Sequence, residues 1–136
     1  MNQIHPNISL VPLLQRMAVG DLHYHLFTLP NTEPTLAAVL ADFTEEAGTG
    51  YAVVTVALAD FTTTGVAGNQ GYIIAGNIAF TPGAATTFTD YGYYITDDTD
   101  AILLAFGFFD AGPIVTVNPA TLVLTPKLGN NSKYAA

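Results

Sequence analysis

The stretch from Asp90 to Asp110, DYGYYITDDTDAILLAFGFFD, is an aromatic and aliphatic ribbon interrupted in the middle by three acids within four residues. Side chains alternate across a strand, so Tyr91, Tyr93 and Ile95 share one face of the first arm while Tyr94 and Thr96 take the other. On the return arm Ile102, Leu104, Phe106 and Phe108 oppose Leu103, Ala105 and Phe109. Such a pattern predicts an antiparallel hairpin with Asp97, Asp98, Thr99 and Asp100 at its tip, because Asp and Thr oxygens bond the backbone of turns. Both faces are apolar and both need cover, one from the domain's own core and the other from a second sheet or a neighbouring subunit. Tyr93, Tyr94, Phe106, Phe108 and Phe109 are therefore expected in a core or an intersubunit seam.

Outward from the hairpin, short strands bounded by turn residues dominate. LHYHLFTL is the first strand candidate, with Leu22, Tyr24 and Leu26 facing one way and His23, His25 and Phe27 the other. LAAVLADFTEEAG, residues 36–48, reads as a short helix or an irregular crossing. YAVVTVALADF reads as a strand, TTTGVAGN as a polar turn, QGYIIAGNIAFT as one strand bent at Gly76, and PGAAT as a turn. IVTV and TLVLTPKL follow the hairpin after the breaker AGP. About seven strands at intervals of roughly ten residues predict a mainly β protein, a sandwich or barrel of mostly antiparallel strands, and the fold expected of the two is a single antiparallel β-sandwich of jelly-roll type. Ahead of it, Ser9, Pro12 and the spacing of Leu10, Leu13, Leu14 and Met17 predict a short N-terminal helix that Gly20 stops. The expected single domain is thus an extended arm over 1–8, a helix over 9–19, the sandwich over 22–128 and a flexible tail over 129–136.

The 136 residues suffice for one core that hides roughly two thirds of the unfolded surface, so no disulfide or metal staple is required. There is no Cys, which removes disulfides, thiolate zinc sites and thiol nucleophiles together. Charged residues make up only 10% of the chain, against about a quarter in an average soluble domain. A small protein with so little charge is expected to have part of its surface covered by other subunits. Arg16, Lys127 and Lys133 are the only basic residues, so the span from Met17 to Pro126 holds all eleven acids and no cation. Nucleic acid is excluded as an expected partner, because its phosphates demand clustered Lys and Arg. A net charge of -8 fits solubility, or docking onto a basic protein surface. No apolar run nears the roughly 18 residues of a membrane span, and MNQIHPNISL lacks the basic residues and apolar core of a signal peptide.

The catalytic inventory is thin. Ser9 and Ser132 are the only serines, and no Lys lies inside the β region, so a Ser, Cys or Lys nucleophile with a positioned base is not expected. His23 and His25 stand two apart on a strand and point to the same face, as some two-histidine metal sites need. Closing that shell requires His5 or a carboxylate from elsewhere; the preferred reading is a polar strand face or a hydrogen-bonded subunit contact. Glu33, Glu45 and Glu46 are read as structural or solvated acids rather than a glycosidase pair, since no Trp is present to hold a sugar. At the hairpin tip, Asp97, Asp98 and Asp100 are weak calcium candidates that lack the internal Gly and distal Glu of the helix-flanked calcium loop, and a turn is the preferred reading. No cofactor is expected.

Taken in order, PLLQRM, the strand ending LFT before PNTEPT, ADFTEEAGTGYAVVTVALADF, IAFTP, YGYYITD, AILLAFGFFD and LVLTPKL resemble small β-sandwich virion proteins of tailed bacteriophages. The resemblance spans nearly the whole chain through short structural motifs. It departs from the pattern at Phe61, where such proteins often carry Trp, and at AFGFFD, which is uncharged up to Asp110 where they are often charged. What it implies is a non-enzymatic capsid cement or decoration protein, trimeric, bound to the major capsid protein on the outside of a head assembled in the host cytoplasm. A tail- or fibre-associated adaptor that binds host glycan is the second reading, and a small hydrolase the third.

Overall fold

The computed structural model describes residues 20–35, 37–57, 60, 62–67, 70–74, 77–126 and 128–129. The arm and helix expected before residue 20, together with His5, Ser9, Arg16, Phe61, Lys127 and Ser132, lie outside these residues.

Twelve strands are described: β1 (Leu22–Leu29), β2 (Thr44–Glu45), β3 (Val54–Val56), β4 (Thr62–Ala67), β5 (Gln70–Ile74), β6 (Ile78–Phe80), β7 (Thr87–Asp90), β8 (Gly92–Thr96), β9 (Leu103–Phe108), β10 (Ile114–Val117), β11 (Leu122–Leu124) and β12 (Leu128–Gly129). All pairings are antiparallel. They make a five-stranded sheet in which β1 and β8 are central, two ribbons (β7 with β10, β6 with β11), and a three-stranded sheet β12-β5-β4.

Strand β1 spans the eight residues that its alternation predicts. One edge pairs with β8, His25 standing opposite Tyr94; the other edge is shared by β3 at Leu22–Tyr24 and β2 near Phe27. Between those two partners, the Leu26 N–H donates to the Tyr51 hydroxyl at 3.1 Å and the Leu26 carbonyl accepts from Glu46 N–H at 3.0 Å. A side chain thus completes the ladder where strand backbone is missing, which spares a buried N–H the cost of desolvation without a partner.

Leu22, Tyr24 and Leu26 of β1 join Val56, Ile78, Phe80, Phe88, Ile95 and Leu122 in one buried core fed by β1, β3, β6, β7, β8 and β11. The opposite face of β1 is also covered. Phe27 is buried and stands edge-on to Phe43, which stacks on Tyr94 at 5.1 Å and lies against Phe106 at 5.6 Å.

The hairpin forms with the acids at its tip, Tyr94 opposite Phe106 and Ile95 opposite Ala105. Two details differ from strict alternation. The register shifts between Ile95 and Thr96, leaving Leu104 as an extra residue that packs on the core beside Ala105 instead of with Phe106 and Phe108. Tyr91 falls in the break between β7 and β8 and stacks on Phe108, away from Tyr93 and Ile95. The two ribbon glycines have a packing reason. Gly92 lies under the Phe27 ring and against the Gly107 carbonyl, while Gly107 lies under the Tyr93 ring, so each aromatic covers a residue with no side chain of its own.

Other expectations need correction. Most of the stretch expected as a polar turn at TTTGVAGN is a strand: residues 62–67 form β4, because three Thr and a Val favour the pleated backbone over a loop. QGYIIAGNIAFT holds two strands in different sheets, β5 and β6, rather than one bent strand; Gly76 itself lies outside the described residues. Of the two readings of residues 36–48, the irregular crossing holds: the described residues there carry a 3-10 turn, Leu40–Asp42, closed by the Asp42 carboxylate accepting from Val39 N–H at 2.8 Å, and the short β2. Gly129, expected in the tail, pairs with Tyr72 in β12.

Gly92→Ala places a methyl group 2.6 Å from Phe27 Cζ and against the Gly107 carbonyl. Urea denaturation is expected to show a loss of about 1–3 kcal/mol, from overpacking between fixed backbone and a buried ring. Asp110→Ala at the exposed end of the ribbon should change stability by no more than about 0.5 kcal/mol.

Candidate functional site

The chemistry-bearing residues gather at one end of the β1–β8 pair. His23 and His25 point to the same side of β1, their ring centroids 6.4 Å apart. Across the sheet they meet Asp100, brought back from the hairpin tip by a positive φ of 58° at that residue. The Asp100 Oδ1 atom lies 2.7 Å from His23 Nδ1 and 3.2 Å from His25 Nε2, and accepts from the Thr96 hydroxyl at 2.9 Å. The other His25 nitrogen, Nδ1, is 2.8 Å from Glu45 Oε1, which also accepts from the Tyr51 hydroxyl at 2.9 Å. The buried His25 ring stacks on Tyr94 at 4.5 Å and 3°. One continuous chain therefore runs from the Leu26 N–H through Tyr51, Glu45 and His25 to Asp100 and His23.

The electrostatics follow from this crowding. Burial pushes the Tyr51 hydroxyl far above its ordinary value, helped by the Glu45 charge, so it stays protonated and donates to that carboxylate while its oxygen accepts the Leu26 N–H. Tyr94 is pushed up to about 12, first by burial and then by Glu45 and Asp100. Partial burial works to raise Asp100, but hydrogen bonds from His23 and Thr96 and the nearby imidazoles outweigh it and leave the carboxyl below its ordinary value.

The three acids of the tip have separate tasks. Asp97 accepts from the Thr99 hydroxyl at 2.6 Å and from the N–H groups of Ala101 and Ile102, both at 3.0 Å. Those bonds, that from Thr99 foremost, hold its carboxyl below the ordinary range. Asp98 lies against Gly20, and Asp100 turns to the histidines. Among the described residues the one group of three or more ligand-type side chains within reach of a common ion is His23, His25 and Asp100. The carboxylate that the histidine pair lacks in the local sequence arrives from 75 residues downstream of His25, a juxtaposition that only the β1–β8–β9 topology creates.

Of the aromatic residues expected in a seam, Tyr94 is buried, while Tyr93, Phe106, Phe108 and Phe109 are half-buried. Tyr93 and Phe109 pack on the core, and Phe106 and Phe108 on Phe43 and Phe27. The exposed large apolar residues stand elsewhere, with Val115 58% and Val117 53% exposed on β10, Val123 on β11 and Ile102 beside the tip. Strand β10 inverts the usual rule, turning Thr116 inward and its valines outward. Cross-strand from those valines are Thr89 and Thr87, both exposed, so the outer face of the β7–β10 ribbon carries no charge. IVTV fits either orientation, and only the pairing decides which face is outward.

Of the remaining acids, Glu33 lines a shallow depression with Pro30 and Pro34 beside the 3-10 turn. Glu46 is buried and its Oε1 accepts from the N–H groups of Ala47 and Gly48 at 2.9 and 2.6 Å. Asp90 is fully buried, and neither of its carboxyl oxygens has a hydrogen-bond partner. Burial, then the neighbouring Glu46 charge, raises its pKa from 3.8 to about 7. Folded Asp90 keeps a proton that the unfolded chain releases near 3.8, so every step up in pH between these values favours unfolding. The melting temperature of Asp90→Asn, a neutral mimic, is expected to gain on that of the native chain by several degrees between pH 4 and pH 8. Parallel pH profiles for the two proteins would show that Asp90 is ionised throughout.

No family model, no curated protein and no solved structure matches this chain.

Proposed function

We propose that this protein is a non-enzymatic structural component of a tailed-phage virion, a capsid cement protein that binds the major capsid protein lattice and stabilises the head. The observation that carries the reading is the outer face of the β7–β10 ribbon, where exposed Val115 and Val117 stand across from exposed Thr87 and Thr89 with no charge among them. A flat, β-branched, uncharged face suits coverage by another protein surface, and covering a valine side chain fully is worth about 1.5 kcal/mol or more.

Two further features support docking rather than catalysis. Strand β9 pairs with β8 alone among the described residues, and its run LLAFGF carries none of the Lys, Pro or inward charge that blunts a free sheet edge. All the acids and no cations lie between Met17 and Pro126, which favours a basic partner surface. The segment order that resembles small phage virion proteins supplies the identity of that surface. In this reading the sheets form a β-sandwich of jelly-roll type, three copies join at a symmetry axis of the shell, and contacts repeated over several capsomers add through effective concentration.

The test is a reconstruction of the particle that contains this chain, with density expected on the outside of the head and the β7–β10 face against capsid protein. Density at the tail or fibres would replace the reading with the adaptor one. In rebinding to mildly stripped particles, Val115→Asp with Val117→Asp is expected to lose tenfold or more in affinity while its circular dichroism is unchanged. Phe108→Asp, which would put a charge against Phe27 and Tyr91, is expected to lower the melting temperature as well.

A further inference from the structure

We propose that His23, His25 and Asp100 bind one divalent transition-metal ion of the zinc class, which clips the tip of the β8–β9 hairpin to β1. One ligand atom from each of the three residues lies within 4.8 Å of the other two, and Asp100 Oδ1 is 2.7 Å from His23 Nδ1 and 3.2 Å from His25 Nε2. An ion held at about 2.0–2.1 Å by each ligand sets neighbouring ligand atoms roughly 3.3 Å apart, so small side-chain movements seat it.

The surroundings of His25 distinguish this cluster from a chance meeting of polar groups. A metal-bound imidazole gives its second N–H to a carboxylate that fixes the ring and raises its basicity. Glu45 stands at that place, 2.8 Å from His25 Nδ1, and is itself held by Tyr51, whose oxygen accepts the Leu26 N–H. Stacking on Tyr94 fixes the plane of the same ring. Support for the liganding histidine thus reaches back to the backbone of β1.

Two imidazoles and one carboxylate select the ion. Calcium and magnesium take shells of oxygen, whereas this set suits zinc, cobalt or nickel. The Asp100 side chain is 53% exposed, so the open side faces water, which completes the coordination shell. Bound this way, the ion joins residues 77 positions apart and removes the freedom of the tip to swing from β1.

The full chain, stripped with a chelator, is titrated with Zn2+ and with Co2+, and each variant is checked by circular dichroism. One equivalent of either ion is expected to bind and to raise the melting temperature, with a visible d–d spectrum for Co2+ and no comparable response to Ca2+ or Mg2+. His23→Asn, at a partly exposed side chain, and Asp100→Asn should each weaken binding at least tenfold, and Glu45→Gln about 10–100-fold at unchanged stoichiometry. His5→Asn should bind as the native chain does. Ring resonances of His23 and His25 should shift together on addition of Zn2+. Absence of one-equivalent binding, or affinity unchanged in folded His23→Asn and Asp100→Asn, overturns the proposal; so does loss of binding on His5→Asn alone.

Discussion

The backbone pairing of β1 with β8 is the constraint on which the rest of the molecule depends. It sets Leu22, Tyr24 and Leu26 into the shared core, and puts His25 beside Tyr94 on the opposite face. The same register leaves Gly92 opposite Phe27, the approach that only a residue without a side chain permits. A slip of one residue would exchange the two faces of β1, send imidazoles into the core and leave Leu22 and Leu26 among the polar groups. Both the apolar core and the histidine cluster therefore oppose the slip, which is why a strand buried on both sides can be held in one place.

The acids divide by what surrounds them. Asp97 and Asp100 are stabilised as anions by hydrogen bonds, Asp97 from turn backbone and Asp100 from the histidine cluster; Asp90 is stabilised as an acid by burial next to Glu46. The structure thus carries two opposed pH dependences. Protonation in the acid range weakens the hairpin tip, and deprotonation toward neutral pH weakens the floor of β7.

Much of the architecture is legible in the sequence because alternation is local. LHYHLFTL, the hairpin and IVTV are strands where their period predicts them. The errors have physical causes. Thr-rich residues 62–67 have turn composition, but Thr and Val are branched at Cβ, a residue type that favours strands. One extra residue in β9 moves Leu104 across the sheet, an event that no periodic reading can place. For the site, the histidine pair is visible as a His-x-His spacing, and the need for a further ligand, His5 or a carboxylate from elsewhere, follows from valence. That Asp100 supplies it, and that Glu45 and Tyr51 stand behind, depends on pairing between segments far apart in the chain. The outward valines of β10 escape notice for a related reason, since an alternating strand does not announce which of its faces is the inner one.

The position of β1 in the chain also bears on how the protein is made. It leaves the ribosome ahead of its ladder partner on one edge, β8, which lies about 70 residues later, while β3 and β2 cover only parts of the other edge. Until β8 has been synthesised, an apolar strand with one whole edge unsatisfied waits in an incomplete chain. Long-range pairing of this kind slows folding and prolongs exposure of sticky intermediates. The rate at which residues 22–96 emerge, set against the holding capacity of chaperones, thus becomes a determinant of yield that the finished fold conceals.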